Sequence, residues 1–217
     1  MHKVDVSLNQ DIFAENQTIA QGIQDLLHSH NIRSFDFMGA IGSGKTLIIE
    51  HLIDILPNIL PDTKVGVIVG DVMGDDDYQR ICKHEVPVVN INTGKECHLD
   101  AHLIEHALYK LNLSEIDFLF IENIGNLVCP ADFPLGTDKR VVTISVTEGD
   151  DMVRKHPLIF QLADAIIINK IDLVDVIDVD INKIMKDIRH LGEKTVFLTN
   201  ARGEKGIQSL LNWLVTP

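Results

Sequence analysis

Basic residues are in short supply: 19 Lys and Arg stand against 32 Asp and Glu, a formal net charge of −13 with His neutral. The average field of such a surface repels a phosphate backbone or an anionic bilayer, so neither nucleic acid nor membrane is an expected partner. Cysteine is scarce too. Cys82, Cys97 and Cys129 form a small, odd set. That argues against a disulfide framework and leaves metal binding, catalysis or plain burial. No C-x-x-C occurs, so a closed four-ligand zinc site within one chain is not signalled. No run is apolar and long enough to span a bilayer; Asp54 and Pro57 interrupt the best early candidate. The opening residues, Met1-His-Lys-Val-Asp-Val-Ser7, hold no apolar signal core, so a cytoplasmic location is expected. Repeats and low-complexity tracts are lacking as well.

What is present is Gly39-Ala-Ile-Gly-Ser-Gly-Lys-Thr46, a complete G-x-x-x-x-G-K-[ST] loop. Ser34 to Met38 before it reads as a buried strand, and Leu47 to Leu56 after it as a helix, apolar at helical spacing. A strand running through glycines into a helix is the context this phosphate-binding motif needs. Gly39, Ala40, Gly42, Ser43 and Gly44 let backbone N–H groups and the helix N-terminus face a polyphosphate. Lys45 reaches the β- and γ-phosphates, and the Thr46 hydroxyl ligates Mg²⁺.

Helical spacing runs from Asn9 to His30, His98 to Leu111, Ile177 to His190 and Ile207 to Val215. Short apolar runs at Lys64–Val69, Val86–Ile91, Ile116–Ile121, Arg140–Val146, Ala165–Ile168 and Thr195–Leu198 read as strands. The alternation predicts an α/β fold: one domain over residues 1–217, a doubly wound and mostly parallel sheet with helices on both faces. Residues 1–31 form a helical segment packed on it. Ligands of such sheets bind just beyond strand C-termini, which is where the other polar motifs fall.

Asn169-Lys-Ile-Asp172 follows the strand ending at Ile168. The Asp172 carboxylate can accept from N1–H and the 2-amino group of guanine together, whereas adenine leaves it unpaired. Lys170 lays its stem along the base, and Asn169 ties this loop to the phosphate loop. The alternative is a polar turn with Asp172 as a helix cap. Asn200-Ala201, after the last strand, could supply a backbone N–H to guanine O6. Glu122-Asn-Ile-Gly125 follows Ile121: Glu122 is placed to hold Mg²⁺ and the Gly125 N–H to meet the γ-phosphate. Asp71 and Asp77, near the next strand end, are further Mg²⁺ candidates. Lys45 and Glu122 are the expected catalytic residues. Neither a catalytic base nor an intrinsic arginine finger is evident, so GTP hydrolysis is expected to be slow.

Cys97-His98 and Cys129 form a second constellation, with Cys129 just past Gly125. His98 and His102 are four apart and share a face on the helix predicted from His98. Thiolate and imidazole suit Ni²⁺ or Zn²⁺. Two cysteines and one or two histidines read as half a site, completed by a second copy of the chain. Burial as a small hydrophobe is the competing reading, and it is preferred for Cys82.

Together these segments resemble the hydrogenase-maturation nickel GTPases, the HypB family of SIMIBI-class P-loop GTPases. The likeness runs from about Phe35 to Gly206. Its most specific parts are Asn92-Thr-Gly-Lys-Glu-Cys-His-Leu-Asp-Ala-His102, Glu122-Asn-Ile-Gly-Asn-Leu-Val-Cys-Pro-Ala-Asp-Phe133 and Thr147-Glu-Gly-Asp-Asp151. The resemblance implies GTP binding and hydrolysis, GTP-dependent homodimerisation, and delivery of nickel to the precursor of the [NiFe] hydrogenase large subunit. It also implies a HypA-like nickel accessory protein as partner. The nickel or zinc site at the dimer interface would use Cys97, His98 and Cys129, with His102 a further ligand. Three rival readings stand beside it: a urease-type nickel GTPase (UreG-like), a small-molecule kinase on the same scaffold, and a regulatory GTP-binding module with structural cysteines. The first carries Cys-Pro-His, where this chain has Cys129-Pro130-Ala131.

Overall fold

Among the described residues, runs rich in Val, Ile and Phe become seven strands, and every neighbouring pair is parallel. The computed structural model describes the backbone of residues 6–216 and side chains from residue 11 to 216. The expected segment 1–31 and domain 1–217 therefore reach partly outside the described residues. The strands are β1 (Arg33–Gly39), β2 (Val65–Asp71), β3 (Val88–Asn92), β4 (Phe118–Glu122), β5 (Lys139–Ser145), β6 (Ala165–Asn169) and β7 (Thr195–Leu198). Their order in the sheet is β3-β2-β4-β1-β5-β6-β7. The helices are α1 (Val6–Ser29), α2 (Lys45–Ile59), α3 (Asp76–Cys82), α4 (Ala101–Leu108), α5 (Met152–Lys155), α6 (Pro157–Leu162), α7 (Val174–Ile177), α8 (Ile181–His190) and α9 (Ile207–Val215).

Side chains alternate across the sheet, and each face has its own cover. Phe35, Phe37, Val67, Phe120 and Ile167 pack with Ile48 and Leu52 of α2 and Leu211 of α9. On the opposite face, Ile68, Leu119 and Ile121 pack with Ile23 and Leu27 of α1 and Ile104 of α4. Beside them Val142, Ile144 and Ile166 pack with Phe160 of α6 and Ile184 of α8. Burial on both faces is why these strands read as continuous apolar runs.

Among the boundaries that differ from the sequence reading, three helix boundaries have a clear local cause. α2 continues through Pro57 to Ile59; a proline so near the helix end removes little hydrogen bonding. The helix expected over Ile177–His190 breaks at Asp178, whose backbone is left-handed (φ 52°), and restarts where the Asp180 side chain accepts from Asn182 N–H. The helix expected from His98 begins at Ala101 instead. Asp100 has extended backbone and caps it, its side chain accepting from Leu103 N–H at 2.8 Å. His98 therefore lies outside the helix, and the shared face with His102 does not exist.

Asn16 fixes α1 near the site. It is buried, donates to Pro134 O at 2.9 Å and accepts from Ala101 N–H at 2.8 Å. One side chain thus joins the first helix to the start of α4 and to the loop beyond Cys129.

Candidate functional site

A cleft of about 450 Å³ opens at the C-terminal edge of the sheet, lined by the loop before α2, by Asp71, Asp77 and Arg80, and by Glu122 to Gly125. Gly39 ends β1 with φ 145°, and a Cβ there would lie 2.0 Å from the Thr143 carbonyl oxygen of β5. Its glycine character is set by strand packing beneath the loop. Gly125 is pressed against the loop itself: a Cβ would lie 2.4 Å from Ile41 Cγ1 and 2.9 Å from Ile41 Cα.

Lys45 is buried, and its ammonium donates to the carbonyls of Ala40 at 3.2 Å and Gly39 at 3.4 Å. Burial lowers its pKa, opposed by Glu122 and Asp77. The Thr46 hydroxyl lies 2.8 Å from Glu122 Oε1 and 2.9 Å from Asp77 Oδ1. One hydroxyl proton cannot serve two carboxylates. Either a carboxyl brings its own proton or a cation takes the shared position. Burial pushes Glu122 up to about 7, and among the described residues its Oε2 has no hydrogen-bond partner. This oxygen set, hard and short of protons, fits a magnesium-sized divalent ion. Asp71 lines the same cleft, but its Oδ1 accepts from the neighbouring Val72 N–H at 2.7 Å. Arg80, which the sequence reading passed over, bridges Glu50 of α2 and Asp77, the latter at 3.2 Å. Its i,i+3 spacing from Asp77 was the available signal.

Beyond β6, Asn169 is buried and holds three loops. Its Nδ2 donates to Ser43 O at 2.9 Å, while its Oδ1 accepts from Thr199 Oγ1 at 2.9 Å and Ala201 N–H at 3.1 Å. Lys170 has φ 61° and donates to Gly42 O at 2.7 Å. Asp172 is exposed in the 3-10 turn Ile171–Leu173. The Ala201 N–H is engaged by Asn169, and the Asn200 N–H by Lys205 O at 3.0 Å. The first bond ties this loop to the one after β6, and the second closes the loop on itself.

The two cysteines singled out as candidate ligands do meet. Cys97, His98 and Cys129 offer donor atoms within 4.8 Å of one another. Cys97 Sγ is 2.9 Å from Cys129 Sγ and 3.9 Å from His98 Nδ1. The hydrogen bond to Cys129 pushes the Cys97 thiol up. The His98 ring stacks on Phe133 with centroids 4.0 Å apart, and burial lowers its pKa. That favours the neutral imidazole a metal requires. Asn126 locks the arrangement, donating to Cys97 O at 3.1 Å and accepting from Val128 N–H at 2.8 Å. His102 stands outside the group. It faces His106 one turn along α4, with Nε2 atoms 3.2 Å apart. Cys82 is half-buried in α3, apart from both other cysteines. Among the described residues no helix is long and apolar enough to cross a membrane.

Similarity to known proteins runs along most of the chain. The family model of the CobW/HypB/UreG nucleotide-binding domain matches residues 35–199. A "Probable hydrogenase maturation factor HypB" of Methanocaldococcus jannaschii is 51% identical over 216 residues, 99% of this chain and 96% of the relative. The crystal structure of HypB from Helicobacter pylori in complex with nickel superposes with a TM-score of 0.87 at 36% identity, covering 93% of this chain and 94% of that one. The hydrogenase maturation factor HypB of Archaeoglobus fulgidus gives 0.85 at 42% identity, covering 93% and 97%.

Proposed function

Since the chain belongs to the CobW/HypB/UreG family, among the HypB hydrogenase maturation factors, we propose that it binds and slowly hydrolyses GTP and uses that cycle to handle nickel for a [NiFe] hydrogenase. The observation that carries this reading is one loop with two ends. Glu122 at its start faces Thr46 in the cleft, and Cys129 at its end faces Cys97.

In the cleft, Lys45 exchanges the loop carbonyls for β- and γ-phosphate oxygens, and the Gly125 N–H meets the γ-phosphate. Thr46, Asp77 and Glu122 would hold Mg²⁺, with Asp71 near; the ion supplies neutralisation of phosphate charge. Asp172 reads guanine, and Asn169 keeps its loop in register with the phosphate loop. Cys97, His98 and Cys129 take Ni²⁺ as cargo, with Zn²⁺ as a competing occupant. The Helicobacter relative crystallised in complex with nickel supports nickel as the cargo. His102, away from the cluster, is left out of the proposed ligand set. Ile41, Met73 and Val128 are 84%, 77% and 56% exposed around the cleft and the thiols. Such an apolar rim supports a second copy closing over both sites when GTP is bound. A HypA-like accessory protein as nickel donor and the hydrogenase large-subunit precursor as recipient complete the proposal.

Equilibrium binding tests it. GTP should be preferred over ATP by at least about 100-fold, because adenine leaves Asp172 unpaired. Ni²⁺ should bind stoichiometrically to the wild type and be lost in Cys97→Ala and in Cys129→Ala. Equal affinity for the two nucleotides, or nickel binding retained in both variants, would defeat the reading.

A further inference from the structure

The sheet face beneath α1, α4, α6 and α8 carries two apolar clusters, one including Leu99 and Ile121, the other Val142 and Phe160. A charged seam divides them. Asp36 of β1 is 0% exposed, and its register partners are Ile121 on β4 and Arg140 on β5. Neither phosphate nor base recognition uses a carboxylate at that depth, and burying one costs stability unless its neighbours hold it. Asp36 Oδ1 accepts from Asn123 Nδ2 at 3.2 Å. Among the described residues its Oδ2 has no hydrogen-bond partner, and neither has Arg140 Nε on the adjacent strand.

Each neighbour of Asp36 grips one half of the thiol cluster. Asn123 Oδ1 accepts from the Leu99 N–H at 3.2 Å, one residue past His98. Arg140 donates through Nη2 to Pro130 O at 2.6 Å and Ala131 O at 3.4 Å, the two residues after Cys129. Asn123 also directly follows Glu122 and donates its own backbone N–H to Phe37 O at 3.0 Å. One buried carboxylate therefore lies between the amide that holds the Cys97-His98 segment and the guanidinium that holds the Cys129 turn.

We propose that Asp36, Asn123 and Arg140 are positioning residues for the metal cluster: a buried bracket that fixes the separation of its two sulfur-bearing segments. The inference rests on the reading of Cys97, His98 and Cys129 as a metal site. Through Asn123 the bracket also joins that site to the loop at the cleft, so the approach of Cys97 to Cys129 follows the position of Glu122.

Co²⁺ is the probe, because its absorption bands report thiolate ligation and geometry. Partners one shell outside a metal typically change affinity about 10- to 100-fold when removed. Asn123→Ala, Arg140→Met and Asp36→Asn should each weaken Co²⁺ binding by about that factor and alter the bands, while GDP affinity in the last two stays within about twofold. Arg140→Lys, which keeps a donor for Pro130 O, should recover part of the loss. The double variant Asn123→Ala/Arg140→Met should lose less than the product of the single losses, because both act through one bracket. Unchanged Co²⁺ affinity and bands in GDP-binding Asp36→Asn and Arg140→Met would overturn the proposal. Joint loss of GDP and Co²⁺ binding would also overturn it, by making these residues merely structural. Failure of the metal reading looks different: wild-type protein would bind no Co²⁺, or bind it equally without Cys129.

Discussion

Glu122 is 3% exposed beside Lys45 and Thr46, and burial lifts its carboxyl to about 7. Asp36, at about 6, and Glu148, at about 7, are raised for the same reason. From the ordinary carboxylate range up to those values, the native state binds protons that the unfolded chain has released. Their contribution to stability therefore falls as pH rises through that window and levels off above it, whereas His98, whose pKa burial lowers, acts in the opposite sense. The protein free of nucleotide and metal should melt at a lower temperature at about pH 8 than at about pH 5, and Glu122→Gln should flatten part of the decline. A wild-type melting temperature that climbs over the same range contradicts the assignment. Mg²⁺ runs the other way: it needs the deprotonated carboxylate, so its affinity should increase up to about pH 7. Asp172→Asn should weaken GTP binding and favour xanthine nucleotides, because the amide offers a donor to the 2-oxo group. Unchanged GTP affinity in a fluorescence titration would count against the base-reading role. Residues whose partners are close in sequence were legible at this scale, as with Lys45 and Thr46 in their loop. Asp36 and Arg140 were not, because their pairing exists only once β1 and β5 are in register.

At the scale of elements, the strands were readable because both sheet faces are covered and each strand is apolar throughout. Helix ends were harder. The spacing that includes Leu99 and Leu103 extends past the true start of α4, since Leu99 is buried in the same apolar cluster without being helical. The start is set by Asp100, whose side chain caps the helix. Asp100→Ala should destabilise the protein by about 1 kcal/mol in urea unfolding, the usual worth of such a cap. A change under a few tenths would mean that α4 is held by packing alone. Gly39→Ala is a harsher test. Its new Cβ would collide with the Thr143 carbonyl, and backbone on backbone cannot yield cheaply. A loss of about 3 kcal/mol or more is expected. A variant as stable as wild type would place the demand for glycine on the phosphate side of the loop.

For the whole molecule, the acidic balance bears on solubility, whereas the apolar rim of Ile41, Met73 and Val128 bears on self-association. Native mass should double on adding a non-hydrolysable GTP analogue and stay monomeric with GDP. A mass independent of nucleotide would remove the second copy from the proposal. The doubly wound architecture was legible from the alternation of elements; the order of strands, which sets what lies side by side, was not. The same measurement needs an atmosphere free of air. Cys97 is exposed and its sulfur lies 2.9 Å from that of Cys129, so dissolved oxygen can link the pair within one molecule or stitch two molecules through the same edge. A covalent link between two molecules would imitate the proposed nucleotide-driven dimer on a sizing column, and a reductant wash would tell them apart.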